Sequence, residues 1–220
     1  MLTMSRSRFI ETPATMSKVI QQCLHRQCDH ARAIEPQSHD GTVQKNEIPH
    51  DGLENFAIIR HPLSWLPAFW NAQRRTGWPA AAGDQTLHLT SWQADSNLNF
   101  EKWVRRLLDL EHGFQSRYFR RWFGRNLDET TAAPFEVMPM TVTNVLAAFE
   151  EPHDQQGLRS DIGLEWSGYR STEHYWQQNW RRDEMSWTDP GLVRAVVTVE
   201  APIVARFYGQ MDFVATCPKG

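Results

Sequence analysis

RFIETPATMSKVIQQCL, residues 8 to 24, is the stretch on which the reading of the fold turns. Residues 7 to 11 form a compact apolar-polar run that predicts a short strand entering a turn at Pro13. From there Met16, Val19, Ile20, Cys23 and Leu24 recur at helical spacing and give the next element one apolar face. A strand that turns directly into a helix presents unpaired N–H groups and a partial positive charge, and so suits a phosphate-like anion. Ala14, Thr15, Met16, Ser17, Lys18 and Val19 are the residues expected to supply those groups, with hydroxyls added by Thr15 and Ser17. The turn contains no glycine and its lysine comes late, at Lys18, so it lacks the Gly-rich Walker pattern.

The rest of the chain repeats the alternation of strand and helix. NFAIIR, residues 55 to 60, is a short apolar run suited to a buried strand, and Pro62 is placed to start a helix after it. NFEKWVRRLLDLEHG carries a cap at Asn99, Glu101 in the first turn and a stripe of Phe100, Trp103, Val104, Leu107 and Leu108. FQSRYFRRWFG is expected as a helix, PFEVMP as a strand and TVTNVLAAFEE as a helix. Residues 31 to 54 and 77 to 85 read as polar excursions, and 151 to 188 as a polar, tryptophan-rich stretch of weak periodicity. DPGLVRAVVTVEAPIVARFYG opens with Asp189 as cap and Pro190 at the first helical position, and Pro202 is expected to kink or break it. Strands separated by helices predict a single α/β domain over 1–220, with a short, mainly parallel sheet and helices on both faces.

Composition narrows the function classes. The chain has 220 residues, 40% hydrophobic and 22% charged, as expected of a globular protein with a sizeable core. Its formal net charge of -3 and the lack of a recognisable binding module argue against nucleic acid as a partner. No run approaches the ~20 apolar residues of a membrane span, and the first residues do not read as a signal peptide. Three cysteines make no disulfide framework, so a reducing cytoplasm is the expected compartment. CLHRQCDH groups Cys23, His25, Cys28 and His30, but offsets of two, five and seven residues do not converge on one helical face, and no metal site is expected.

Arg60 stands at the end of the second strand, where ligands of open α/β sheets bind and where its fork can hold a phosphate. PATMSKVI (Pro13 to Ile20) and FAIIRHPLSWLPAFW (Phe56 to Trp70) together resemble two segments of the sulfotransferases that use 3′-phosphoadenosine 5′-phosphosulfate, PAPS, closest to their carbohydrate and bacterial branch. The first is similar to that family's 5′-phosphosulfate loop and the second to its Arg-His-Pro element at the 3′-phosphate. NFEKWVRRLL, GFQSRYFRRWFG, PFEVMPMTVTNVLAAFEE and the closing helix resemble later pieces in the family's order.

The resemblance implies a P-loop-like sulfotransferase fold and sulfuryl transfer from PAPS to a hydroxyl of a carbohydrate or small-molecule acceptor. It implies phosphosulfate binding by the turn from Ala14 to Val19 and 3′-phosphate binding by Arg60. The sequence departs from the family at named positions: the family lysine falls at Ala14, its glycine pair at Met16 and Ser17, and its serine after the arginine at Ala68. Lys18, one helical turn beyond Ala14, is the candidate replacement cation. The general base that such a transfer needs is expected between the two segments, at His39 first, then Glu35 and His50. Arg117, Arg120, Arg121 and Arg125 offer a basic helix side for an anionic acceptor. The alternative is a catalytically inactive relative that binds or scaffolds on the same fold.

Overall fold

The computed structural model describes residues 1–12, 15–33, 51–76, 99–110, 113–123, 129–179 and 187–208. The chain divides into two compact units, one made of Met1–Arg60 and Phe119–Trp176, the other of His61–Tyr118 and Gln177–Gly220.

The first unit holds the sheet. Its strands are β1 (Leu2–Thr3), β2 (Ser7–Ile10), β3 (Arg32–Ala33), β4 (Glu54–Ile59) and β5 (Thr130–Pro134), in the order β3-β1-β2-β4-β5. The class is α/β, as the alternating pattern predicts, and the sheet is mixed. β2, β4 and β5 run parallel, with Phe9 opposite Phe56 and Ile59 opposite Pro134, while β1 lies antiparallel to both β2 and β3. β2 and β4 are nearly continuous in burial, which is what strands covered on both faces require.

Helix α1 (Ser17–Gln27) follows β2, and α5 (Met138–Ala148) and α6 (Gln155–Asn179) follow β5. Phe9, Ile20, Leu24, Phe56, Ile58, Val142, Leu146, Leu158 and Ile162 are buried together as one core, with the Phe9 and Phe56 rings 5.2 Å apart. Cys23 and Leu24 belong to that core, whereas His25 and His30 are exposed, so the Cys/His run is a helix face and its end. Burial, with help from Glu151 and Asp29, pushes the Cys28 thiol up to about 12, which keeps it protonated and unreactive.

Three parts of this unit differ from the sequence reading. PFEVMP does not form the expected strand: β5 lies before it and ends at Pro134, Phe135–Val137 is a 3-10 turn and α5 starts at Met138. β5 is built of small residues, TTAAP, paired with β4, and an apolar run alone does not distinguish strand from helix entry. Residues 155–179 form a long helix, whose start is capped by Asp154 Oδ1 accepting from Gln156 and Gly157 N–H at 3.1 and 3.0 Å. The chain's beginning is also bound in. The buried Glu151 carboxylate accepts from the N–H groups of Ser5 and Arg6 at 2.7 and 2.8 Å and from Ser7 Oγ at 2.8 Å.

The second unit is helical: α2 (Pro62–Thr76), α3 (Phe100–Leu110), α7 (Pro190–Val199) and α8 (Ala201–Tyr208), with α4 (Phe114–Phe123) crossing the boundary between units. Asn99 caps α3 through Lys102 N–H at 2.9 Å, and Asp189 caps α7 through Gly191 N–H at 2.7 Å. The expected break near Pro202 falls at Glu200, between α7 and α8. Trp65 and Phe69 stack at 4.6 Å, and Phe100 meets Trp187 edge-on at 4.8 Å, so much of the aromatic content here is core.

Candidate anion-binding site

Parallel pairing brings the carboxyl ends of β2, β4 and β5 to one edge of the sheet. The turn after β2, Arg60 after β4 and Phe135 after β5 therefore gather where ligands of α/β sheets bind.

Three hydroxyls shape the turn after β2. Thr12 Oγ1 donates to the Ile58 carbonyl at 2.5 Å, and lies 2.6 Å from Thr15 Oγ1 and 3.1 Å from Ser17 Oγ. Thr15 and Ser17 also reach the Thr12 carbonyl, at 2.7 and 2.9 Å, and Ser17 Oγ accepts from Thr12 N–H at 2.8 Å. All three side chains are buried. The hydroxyls of Thr15 and Ser17 thus brace the turn from inside.

Met16 sets the backbone of the turn. It occupies the N-cap of α1 with φ 59 and ψ 14, the left-handed conformation that glycine adopts without cost. The side chain is buried in the core, which holds a methionine where the backbone suits a glycine. Val19 and Ile20 N–H donate back to the Met16 carbonyl at 2.9 and 3.1 Å, so these two amides are used within the first helical turn. The Ser17 and Lys18 amides, which precede them, have no acceptor among the described residues. Lys18 itself is exposed and forms no ion pair among the described residues.

Arg60 is 5% exposed. Its guanidinium carbon stands 4.4 Å above the centre of the Phe135 ring, and Nη1 is 3.5 Å from the Tyr169 hydroxyl of α6. Phe135 and Tyr169 meet edge-to-face at 5.9 Å. Neither aromatic stood out in the sequence; the available signals were the Pro-Phe junction at the end of β5 and the Leu158, Ile162, Trp166, Tyr169 spacing along α6.

The other expected site residues are distributed as follows. Ala68 belongs to the second unit, in α2, where it is buried. His61 is buried as well, accepts from Leu63 N–H at 3.3 Å and packs edge-on against Tyr208, a structural role. Ala14, Glu35, His39, His50 and Arg125, and the side chains of Arg120 and Arg121, lie outside the described residues. Among the described residues no group of three or more His, Cys, Asp and Glu could hold a metal ion, and no helix is long and apolar enough to cross a membrane. Comparison with protein-family models, with curated proteins and with solved structures finds no match to the chain.

Proposed function

We propose that the sheet-bearing unit binds a nucleotide through two phosphate positions, with PAPS as the sulfuryl donor and a hydroxyl of a carbohydrate or small molecule as acceptor. The observation that carries this reading is Met16. The sequence aligns it with a glycine of the phosphosulfate loop, and its backbone is left-handed, the conformation that position needs for a close approach to an anion. The Ser17 and Lys18 amides and the Lys18 ammonium would face the 5′-phosphosulfate, and Arg60 would take the 3′-phosphate in its planar fork. In the transfer, the acceptor oxygen forms a bond to sulfur as the bond from sulfur to the phosphate oxygen breaks. The hydroxyl proton passes to the base, for which His39 and then Glu35 are the sequence candidates. 3′-Phosphoadenosine 5′-phosphate leaves. Positioning and charge stabilisation would supply most of the acceleration.

A second reading is a nucleotide-binding relative without turnover. Ala14 stands where the resemblance puts the lysine that stabilises the leaving group, and the Thr15 and Ser17 hydroxyls are already used inside the turn. Calorimetry with 3′-phosphoadenosine 5′-phosphate, followed by transfer assays from PAPS to a panel of sugar and phenol acceptors, separates the two. Binding with transfer supports the enzyme, binding without transfer supports the relative, and absence of binding rejects both.

A further inference from the structure

We propose that Phe135 and Tyr169 are positioning residues that fix the plane of the Arg60 guanidinium and so make the site selective for nucleotides carrying a phosphomonoester on the ribose. This rests on the nucleotide reading above and adds to it the groups that decide which nucleotide is held.

All five N–H donors of a guanidinium lie in its plane. A phosphate is gripped by two of them only when its oxygens lie in that plane too. Whatever sets the plane therefore sets where the phosphate sits. Here the guanidinium carbon sits 4.4 Å over the centre of the Phe135 ring, and a ring stacked on a guanidinium face directs the donors sideways, along the ring surface. Tyr169 restrains rotation within the plane, its hydroxyl lying 3.5 Å from Nη1. The two rings hold each other edge-to-face at 78°, so neither turns independently. They come from different elements, the turn after β5 and the middle of α6, and both pack against the core. Arg60 itself is buried, so its long side chain is not sampling solvent, and its orientation is a property of the packing.

A preset donor plane matters most for a terminal phosphate, which offers several oxygens and up to two negative charges. It is irrelevant to a nucleotide with a bare ribose hydroxyl. The orientation should appear as a ratio of affinities and not as a general loss.

The test is calorimetry of 3′-phosphoadenosine 5′-phosphate and adenosine 5′-phosphate against the intact wild-type chain, Tyr169→Phe, Phe135→Leu and Phe135→Tyr, each checked for folding by its melting transition. The wild type should prefer the nucleotide with the 3′-phosphate. Tyr169→Phe keeps the ring and loses one long hydrogen bond donated by the guanidinium. It should lower the preference about two- to tenfold through the 3′-phosphorylated nucleotide alone, leaving adenosine 5′-phosphate unchanged. Phe135→Leu should lower it in the same way, and Phe135→Tyr, which keeps the aromatic face, should retain it. An unchanged preference in folded Tyr169→Phe, or equal weakening of both nucleotides, overturns the positioning role while leaving nucleotide binding intact. A wild type with no preference for the 3′-phosphorylated nucleotide overturns both readings together. Should Phe135→Leu fail to fold, the conservative Tyr169→Phe variant decides the matter alone.

Discussion

Thr12 Oγ1 donates to the carbonyl oxygen of Ile58, so the end of β2 is latched to the end of β4 by a side chain and not by the strand ladder alone. The same oxygen supports the Thr15 and Ser17 hydroxyls, which makes Thr12 the hub of the turn. Thr12→Val preserves shape and removes the hub. It should destabilise the first unit by about 1–3 kcal/mol, because buried hydroxyls lose their partner. Urea unfolding should report a lower midpoint, and Thr12→Ser, which keeps the hydroxyl, should restore most of it.

Met16 combines an unfavourable backbone with a favourable side chain. Met16→Gly would relieve ~1–2 kcal/mol of left-handed strain. It would also remove a buried side chain, and truncating a buried methionine costs about 2–5 kcal/mol. Loss of packing outweighs relief of strain, so the variant should be less stable than the wild type despite having the residue best suited to the turn. Thermal melts of Met16→Gly and Met16→Leu check this; the leucine variant should stay close to the wild type, since it conserves volume.

Arg60→Met keeps an apolar stem against the Phe135 ring and removes the fork. Nucleotide affinity should fall about ten- to a hundredfold, the equivalent of one charged hydrogen bond of ~1.5–3 kcal/mol. Calorimetry on the folded variant measures it. Equal affinity in the two proteins would remove Arg60 from the phosphate site.

In the helical unit, acid should weaken the joint between α3 and α7. Burial pushes the Glu101 carboxyl up, but N–H donors from Asp189 and Thr188, the Thr188 hydroxyl and Arg105 together hold it below the usual carboxylate range. Asp189 is likewise held low, chiefly by its hydrogen bond from Arg105 and then by the N–H groups of α7. A carboxylate whose pKa is lower folded than unfolded contributes stability above its unfolded pKa and loses it as pH falls through the folded one. Glu200 acts in the opposite sense. Burial holds its carboxyl high despite three donors from Gln115 and Ser116, so its ionisation costs stability as pH rises above the usual carboxylate value. Melting temperatures followed from about pH 3 to 7 should therefore lose part of their acid dependence in Glu101→Gln. An unaltered acid limb in that variant would remove Glu101 from this role.

What was legible in the sequence was local. β2, β4 and the helix starts at Pro62, Asn99 and Asp189 carry their signals within a few residues, as caps, prolines or compact apolar runs. The long helix α6 was hidden because Gly157, Gly163 and Gly168 lower its intrinsic propensity and much of its surface is polar. Its inward line of Leu158, Ile162, Trp166 and Tyr169 was present and outweighed by that composition. β1 and β3, two residues each, exist only by pairing with neighbours and leave no periodic trace. The candidate site was legible as positions and not as orientations. Nothing in a methionine announces a left-handed backbone, and that one dihedral lies in the turn whose Thr15 and Ser17 hydroxyls face inward. The aromatic pair behind Arg60 is a meeting of residues separated by 75 and 109 positions from it, 135 minus 60 and 169 minus 60, which no local pattern encodes.

The carboxylate of Glu151 gives the chain a birth order problem. Ser5, Arg6 and Ser7 leave the ribosome well before Glu151, since the acceptor they share lies 144 to 146 positions downstream. At ordinary translation speeds the emerging strand waits on the order of ten seconds for it. Throughout that interval the Ser7 hydroxyl and the Ser5 and Arg6 amides lack their carboxylate, and β4, the parallel partner of β2, arrives before β5. Nascent chains halted before Glu151 should therefore remain protease-sensitive around Ser5–Ser7, because the acceptor that ties these residues down is made 144 to 146 positions after them.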